Sequence, residues 1–120
     1  MATRTEVEQF LNQFKVKLEI WGIVFLDGRE KNIQALADLG ISRFERLDII
    51  KTIQVEDYSE GSIKDVLNDY GEMWVFGKDV NGFETYIKIT MGKPSLKTIC
   101  ISFHQAEHPM NYPLKDNKEV

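Results

Sequence analysis

Apolar positions in this chain recur with a helical period in the first half and alternate in the second. Val7, Phe10, Leu11 and Phe14 fall at i, i+3, i+4 and i+7 and predict a first helix over 5–14. Thr5 with Glu8 three positions on reads as its capping box. From Lys15 the period shortens: Val16, Leu18 and Ile20 alternate with Lys17 and Glu19, and Ile23, Val24 and Phe25 follow. This predicts a short strand within 15–26, in competition with helical continuation to about Trp21. Asp27-Gly28 marks a turn. Asn32 to Leu39 then reads as a short helix with Ile33, Leu36, Ala37 and Leu39 inward, stopped by Gly40. Ser42 with Glu45 forms a second capping box and opens a helix to about Ile53 that buries Phe44, Leu47, Ile50 and Ile53.

The stretch 54–72, QVEDYSEGSIKDVLNDYGE, is polar and broken by Gly61 and Gly71. It reads as a loop, with a strand fragment near Val55 and a helical turn at Ile63–Leu67. Beyond it, Met73 to Val80 and Phe83 to Met91 flank Asn81-Gly82, a strong hairpin signal because both residues accept positive φ. Gly92-Lys93-Pro94-Ser95 makes another turn, and Thr98 to His104 completes an antiparallel meander. The tail, 105–120, reads as an ordered loop followed by a frayed end. The prediction is one α+β domain spanning 1–120, with N-terminal helices (about 5–53) packed on a C-terminal antiparallel β-sheet (about 73–104).

Composition narrows the class. With 120 residues and 42% hydrophobic positions, one core forms without metals or disulfides. Cys100 is the single cysteine, which excludes an internal disulfide and a thiol-pair zinc site and suits a reducing cytoplasm. No run reaches the roughly 20 apolar residues of a membrane helix, and the first residues lack a signal-peptide core. A formal net charge of −4 argues against DNA binding by the chain itself, since such binding rests on clustered cations, and requires any RNA site to be a local basic cleft.

Strand parity sorts the candidate chemistry. Phe83, Thr85, Ile87 and Ile89 point one way and Glu84, Tyr86, Lys88 and Thr90 the other. Likewise Ile99, Ile101 and Phe103 oppose Cys100, Ser102 and His104. With the apolar sets beneath the helices, Tyr86, Lys88, Ser102 and His104 share the opposite face. Cleaving RNA by its own 2′-hydroxyl needs a base, a cation for the phosphorane and an acid for the leaving oxygen, and no metal or other cofactor. His104 supplies acid–base capacity, Lys88 a cation, and Tyr86 a donor. The plainer reading is a solvated polar sheet face. Trp74, sharing its strand face with Phe76, is a candidate for stacking a base, although such aromatics more often pack a core. Lys78 and Ser102 are further candidates for substrate binding.

Other patterns carry less. His104 and His108 lie four apart, but Pro109 follows and the order is wrong for His-Glu-x-x-His, so no metal site is assigned. Asp57, Glu60, Asp65 and Asp69 match no calcium loop and read as a solvated acidic segment.

The segments VEDYSEG, MWVFGK, ETYIKIT and TICISFH together resemble the second half of the MqsR family of bacterial toxins, over Val55 to His104. The resemblance implies a RelE-like architecture, metal-free cleavage of single-stranded mRNA, and neutralisation by a cognate antitoxin protein. It places Tyr86 on the family's functional tyrosine, Lys88 on the lysine two residues later, and His104 where a functional lysine sits. This chain departs from the pattern at Ser59 or Glu60, where the family has a lysine, and at Val75, where it has a glutamine. Two other readings stand beside it: a non-catalytic binding module of the same fold, and a small-molecule enzyme with 54–72 as a lid.

Overall fold

The computed structural model describes residues 1–28, 30–65 and 71–115. Its first helix, α1, spans Arg4–Trp21. The capping box belongs to Thr3 and Glu6, not Thr5 and Glu8: the Thr3 hydroxyl accepts from the Glu6 N–H at 3.2 Å, and the Glu6 carboxylate from the Thr3 N–H at 2.8 Å. Val7, Phe10, Leu11 and Phe14 face the core as expected, and Leu18 extends their stripe by one turn. That continuity keeps the chain helical past Lys15. Val16 and Ile20, which looked like strand positions, lie exposed on the far side of the helix.

After Gly22 comes β1, Ile23–Phe25. α2 follows at Glu30–Leu39 and α3 at Arg43–Lys51, the latter opened by the expected Ser42/Glu45 capping box. The inward faces of both helices differ from expectation. In α2, Asn32, Ala35 and Leu39 are buried while Ile33 and Ala37 are exposed. In α3, Arg46 and Ile50 are buried and Phe44 is 83% exposed. Polar partners explain both shifts. The Arg46 guanidinium donates to both Asp27 carboxylate oxygens, at 2.9 and 3.0 Å, and lies 3.7 Å over the Phe25 ring.

The segment expected to be a loop holds a 3-10 turn, Val55–Asp57, and a strand, β2, Tyr58–Lys64. Ile63 therefore belongs to a strand, and the rest of the helical turn expected there, from Val66 on, lies outside the described residues, as does Asp69. β3 (Glu72–Val80), β4 (Phe83–Thr90) and β5 (Thr98–Gln105) form the expected meander. Asn81 and Gly82 both take positive φ in the turn. The five strands run in the order β1-β5-β4-β3-β2. The sheet is mixed rather than purely antiparallel, because β1 pairs parallel with β5.

One face of the sheet meets α1 through Trp74, Phe76, Ile87, Ile89, Cys100 and Phe103. Phe10 stacks on Trp74 at 4.8 Å. Parity places all but Cys100 there. A bulge causes the exception: Lys88 pairs with Ser102 but Ile89 with Cys100, so Ile101 is an extra residue. Upstream of it the faces invert, sending Cys100 inward and Ile99 beside Thr90. Burial pushes the Cys100 thiol up to about 12.

β1 covers only the first part of β5, Thr98–Cys100. Asn32 takes over where it stops. Its amide donates to the Ile101 and Leu26 carbonyls, each at 2.9 Å, and accepts from the Phe103 N–H at 3.1 Å. A side chain thus substitutes for a strand edge and pins the start of α2 against β5. At its other end, the Leu39 carbonyl accepts from Asn81 at 2.7 Å, tying α2 to the hairpin tip.

Candidate functional site

On the sheet face away from α1, cross-strand register sets two adjacent rows. Glu60, Val75, Lys88 and Ser102 form one; Gly77, Tyr86 and His104 form the next. Tyr86, Lys88, Ser102 and His104 therefore come together, as parity predicts, and they make the floor of a cleft of about 700 Å³. Glu30 and Lys31, at the start of α2, stand on one side. The tail loop, with His108 and Asn111, stands on another, and Ser59 and Glu60 of β2 close the end.

The floor is ordered. Tyr86 and His104 stack with centroids 5.3 Å apart and planes 13° off parallel. His104 Nδ1 lies 2.9 Å from the Gln105 carbonyl. A carbonyl only accepts, so Nδ1 carries the hydrogen and neutral His104 keeps its basic lone pair on Nε2. The imidazole is thereby held in one tautomer and one plane.

The tail wall is held by Glu84. Its carbonyl accepts from the Ala106 N–H at 2.8 Å, and its carboxylate from the Met110 N–H at 3.2 Å and the Tyr112 hydroxyl at 2.5 Å. Burial, then the Glu84 hydrogen bond and charge, keep Tyr112 protonated well above the usual phenol range. Gly77 lets Tyr112 lie directly on the sheet: a Cβ there would overlap the phenol. Lys31 bridges to Glu107 across the mouth, joining α2 to the tail. That hydrogen bond and charge hold the Glu107 carboxyl below its usual range.

Two candidates lie elsewhere. Trp74 is 9% exposed beneath Phe10, on the helix-covered face, because its strand parity matches Phe76. Lys78 shares that parity and pairs with Asp57 at 3.1 Å. Neither reaches the cleft floor. Conversely, Lys31, Glu107, His108 and Asn111 join the site although strand parity cannot place them, since they sit on a helix start and an irregular tail. The sequence feature closest to them is the four-residue spacing of His104 and His108. Among the described residues, no group of three or more His, Cys, Asp or Glu side chains is disposed to hold a metal ion, and no helix is long and apolar enough to cross a membrane.

No family model matches the chain, and neither the curated proteins nor the solved structures yield a match.

Proposed function

We propose that this protein is a metal-independent endoribonuclease toxin of a type II toxin–antitoxin system, acting on single-stranded mRNA in the cytoplasm and neutralised by an antitoxin protein. The observation that carries the reading is the Tyr86/His104 stack beside Lys88 and Ser102 on the floor of one cleft. A fixed imidazole with a basic Nε2, a neighbouring ammonium and two hydroxyls match the needs of 2′-hydroxyl attack on a phosphodiester. The resemblance of Val55 to His104 to MqsR-family toxins supports the same activity. An α+β scaffold with a rigid sheet floor suits it, because strands hold catalytic side chains more closely than loops do.

Induced expression of wild type and His104→Ala in a bacterial host tests the reading, with growth and transcript length followed. Wild type is expected to arrest growth and shorten mRNA, and a soluble, folded His104→Ala variant to do neither. Undiminished toxicity in that variant removes His104 from the site.

A specific feature favours a second reading, a non-catalytic binding module. Glu30, Glu60 and Glu107 bring three carboxylates to the cleft, unfavourable company for a polyanion. Intact transcripts with stable capture of a partner protein would select that reading.

A further inference from the structure

A second imidazole, on the tail, lines the cleft. His108 is exposed and lines the same space as His104, on a loop whose position Glu84 sets through Met110 and Tyr112. Glu107 connects the two rings: besides Lys31, its main influence, it feels the charges of both His104 and His108. Both imidazoles therefore lie within electrostatic reach of one carboxylate at the mouth.

Geometry divides the labour. His104 is fixed on the floor with Nε2 as its basic atom. A leaving oxygen departs opposite the attacking one, so the group that protonates it stands across phosphorus from the base. Tyr86 is stacked on His104 and Lys88 is one row away, both on the floor with the base. Off the floor, two proton-bearing side chains line the same cleft: Lys31, which is paired with Glu107, and His108 on the tail.

We propose that His108 is the general acid of the cleavage reaction, paired with His104 as general base, so that the substrate class is RNA with a free 2′-hydroxyl beside the scissile phosphate. This rests on the ribonuclease reading above. His104 Nε2 takes the 2′-hydroxyl proton as the 2′-oxygen bonds to phosphorus. The P–O5′ bond breaks, its electron pair passes to the 5′-oxygen, and His108 in its imidazolium form delivers a proton there. The products are a 2′,3′-cyclic phosphate and a 5′-hydroxyl, and solvent restores both imidazoles. Lys88 balances the charge that builds on the phosphorane oxygens.

The test compares a short single-stranded RNA bearing an ordinary 5′-oxygen with the same RNA bearing a bridging 5′-sulfur at the cleavage site. A thiolate leaves without protonation, so the sulfur substrate needs no acid. His108→Ala is expected to lose about 10²–10⁴-fold on the oxygen substrate and to cleave the sulfur substrate within about tenfold of wild type, whereas His104→Ala stays impaired on both. Because His108 is exposed, its replacement leaves the core intact, and His108→Asn provides a second variant of similar size. A His108→Ala variant with wild-type rate on oxygen, or with equal loss on both substrates, overturns the acid assignment while leaving the ribonuclease reading in place. Wild-type cleavage of an all-deoxy strand overturns the 2′-hydroxyl requirement. Wild type that cleaves neither RNA overturns both readings together.

Discussion

Asn32 has more consequence for this fold than any apolar residue near it on α2. Two of its three hydrogen bonds satisfy β5 backbone groups that β1 is too short to reach, and the third holds the Leu26 carbonyl just after β1, at a position 1% exposed. Asn32→Ala leaves a buried N–H and two carbonyls without that partner, at about 1–3 kcal/mol for each group that water cannot reach. Urea denaturation is expected to show a loss of about 3 kcal/mol, and a loss below about 1 kcal/mol would mean that water takes over the edge. Periodicity could not reveal this role. It ranks positions by apolarity and therefore chose Ile33, whereas burial at Asn32 is decided by backbone groups 69 residues away in sequence. Arg46 repeats the lesson on α3, where its pairing with Asp27 buries a charge and leaves Phe44 outside. His104 and Tyr86 are the opposite case. Their shared face followed from strand parity alone, and only the ring orientation and the Nδ1 hydrogen bond needed coordinates.

Most elements that respond to a short-range rule came through intact, the first helix's cap, shifted from Thr5/Glu8 to Thr3/Glu6, being the exception. The Asn81-Gly82 turn, the flanking strands and the Ser42/Glu45 helix start each depend on residues a few positions apart. β2 failed that rule because its polar, glycine-containing sequence pairs with β3 through an irregular register. The inversion of β5 at Ile101 also lay beyond parity, since a bulge is an agreement between two strands. The tail is an element in its own right, fastened across the open face by Glu84 and seated on Gly77. Gly77→Ala places a methyl group against the Tyr112 ring, with Cβ 2.8 Å from Cε1, and the tail is the part free to give way. Hydrogen exchange is expected to show the Met110 amide losing protection while the α1 amides keep theirs. RNA cleavage should fall with it, because His108 rides on the displaced loop. Unchanged Met110 protection would show that the tail tolerates the methyl group.

At the scale of the whole molecule, the Tyr112–Glu84 bond couples stability to pH. Tyr112 titrates higher in the folded chain than in the unfolded one, so the folded state binds its proton more tightly. The resulting stabilisation is complete below the unfolded phenol value of about 10 and is lost as pH rises from there toward the folded value. Wild type is therefore expected to lose more unfolding free energy between pH 9 and pH 11 than Tyr112→Phe does, as read by urea denaturation at each pH. Parallel curves for the two proteins would mean that the bond contributes nothing to the global balance. The candidate site is a whole-molecule object in the same sense: its floor comes from two neighbouring strands, its sides from the start of α2 and from the tail. The sequence by itself determined the α+β class, the helical first half, the three-stranded meander and the common face of Tyr86, Lys88, Ser102 and His104. These are properties of local periodicity and turn chemistry, which act over a few residues. Tertiary structure alone decided that β1 joins parallel to β5, that Asn32 and Arg46 go inward, and that His108 lines the same cleft as His104. Each of those outcomes depends on hydrogen bonds, ion pairs or packing between segments far apart in the chain, where period and spacing carry no information.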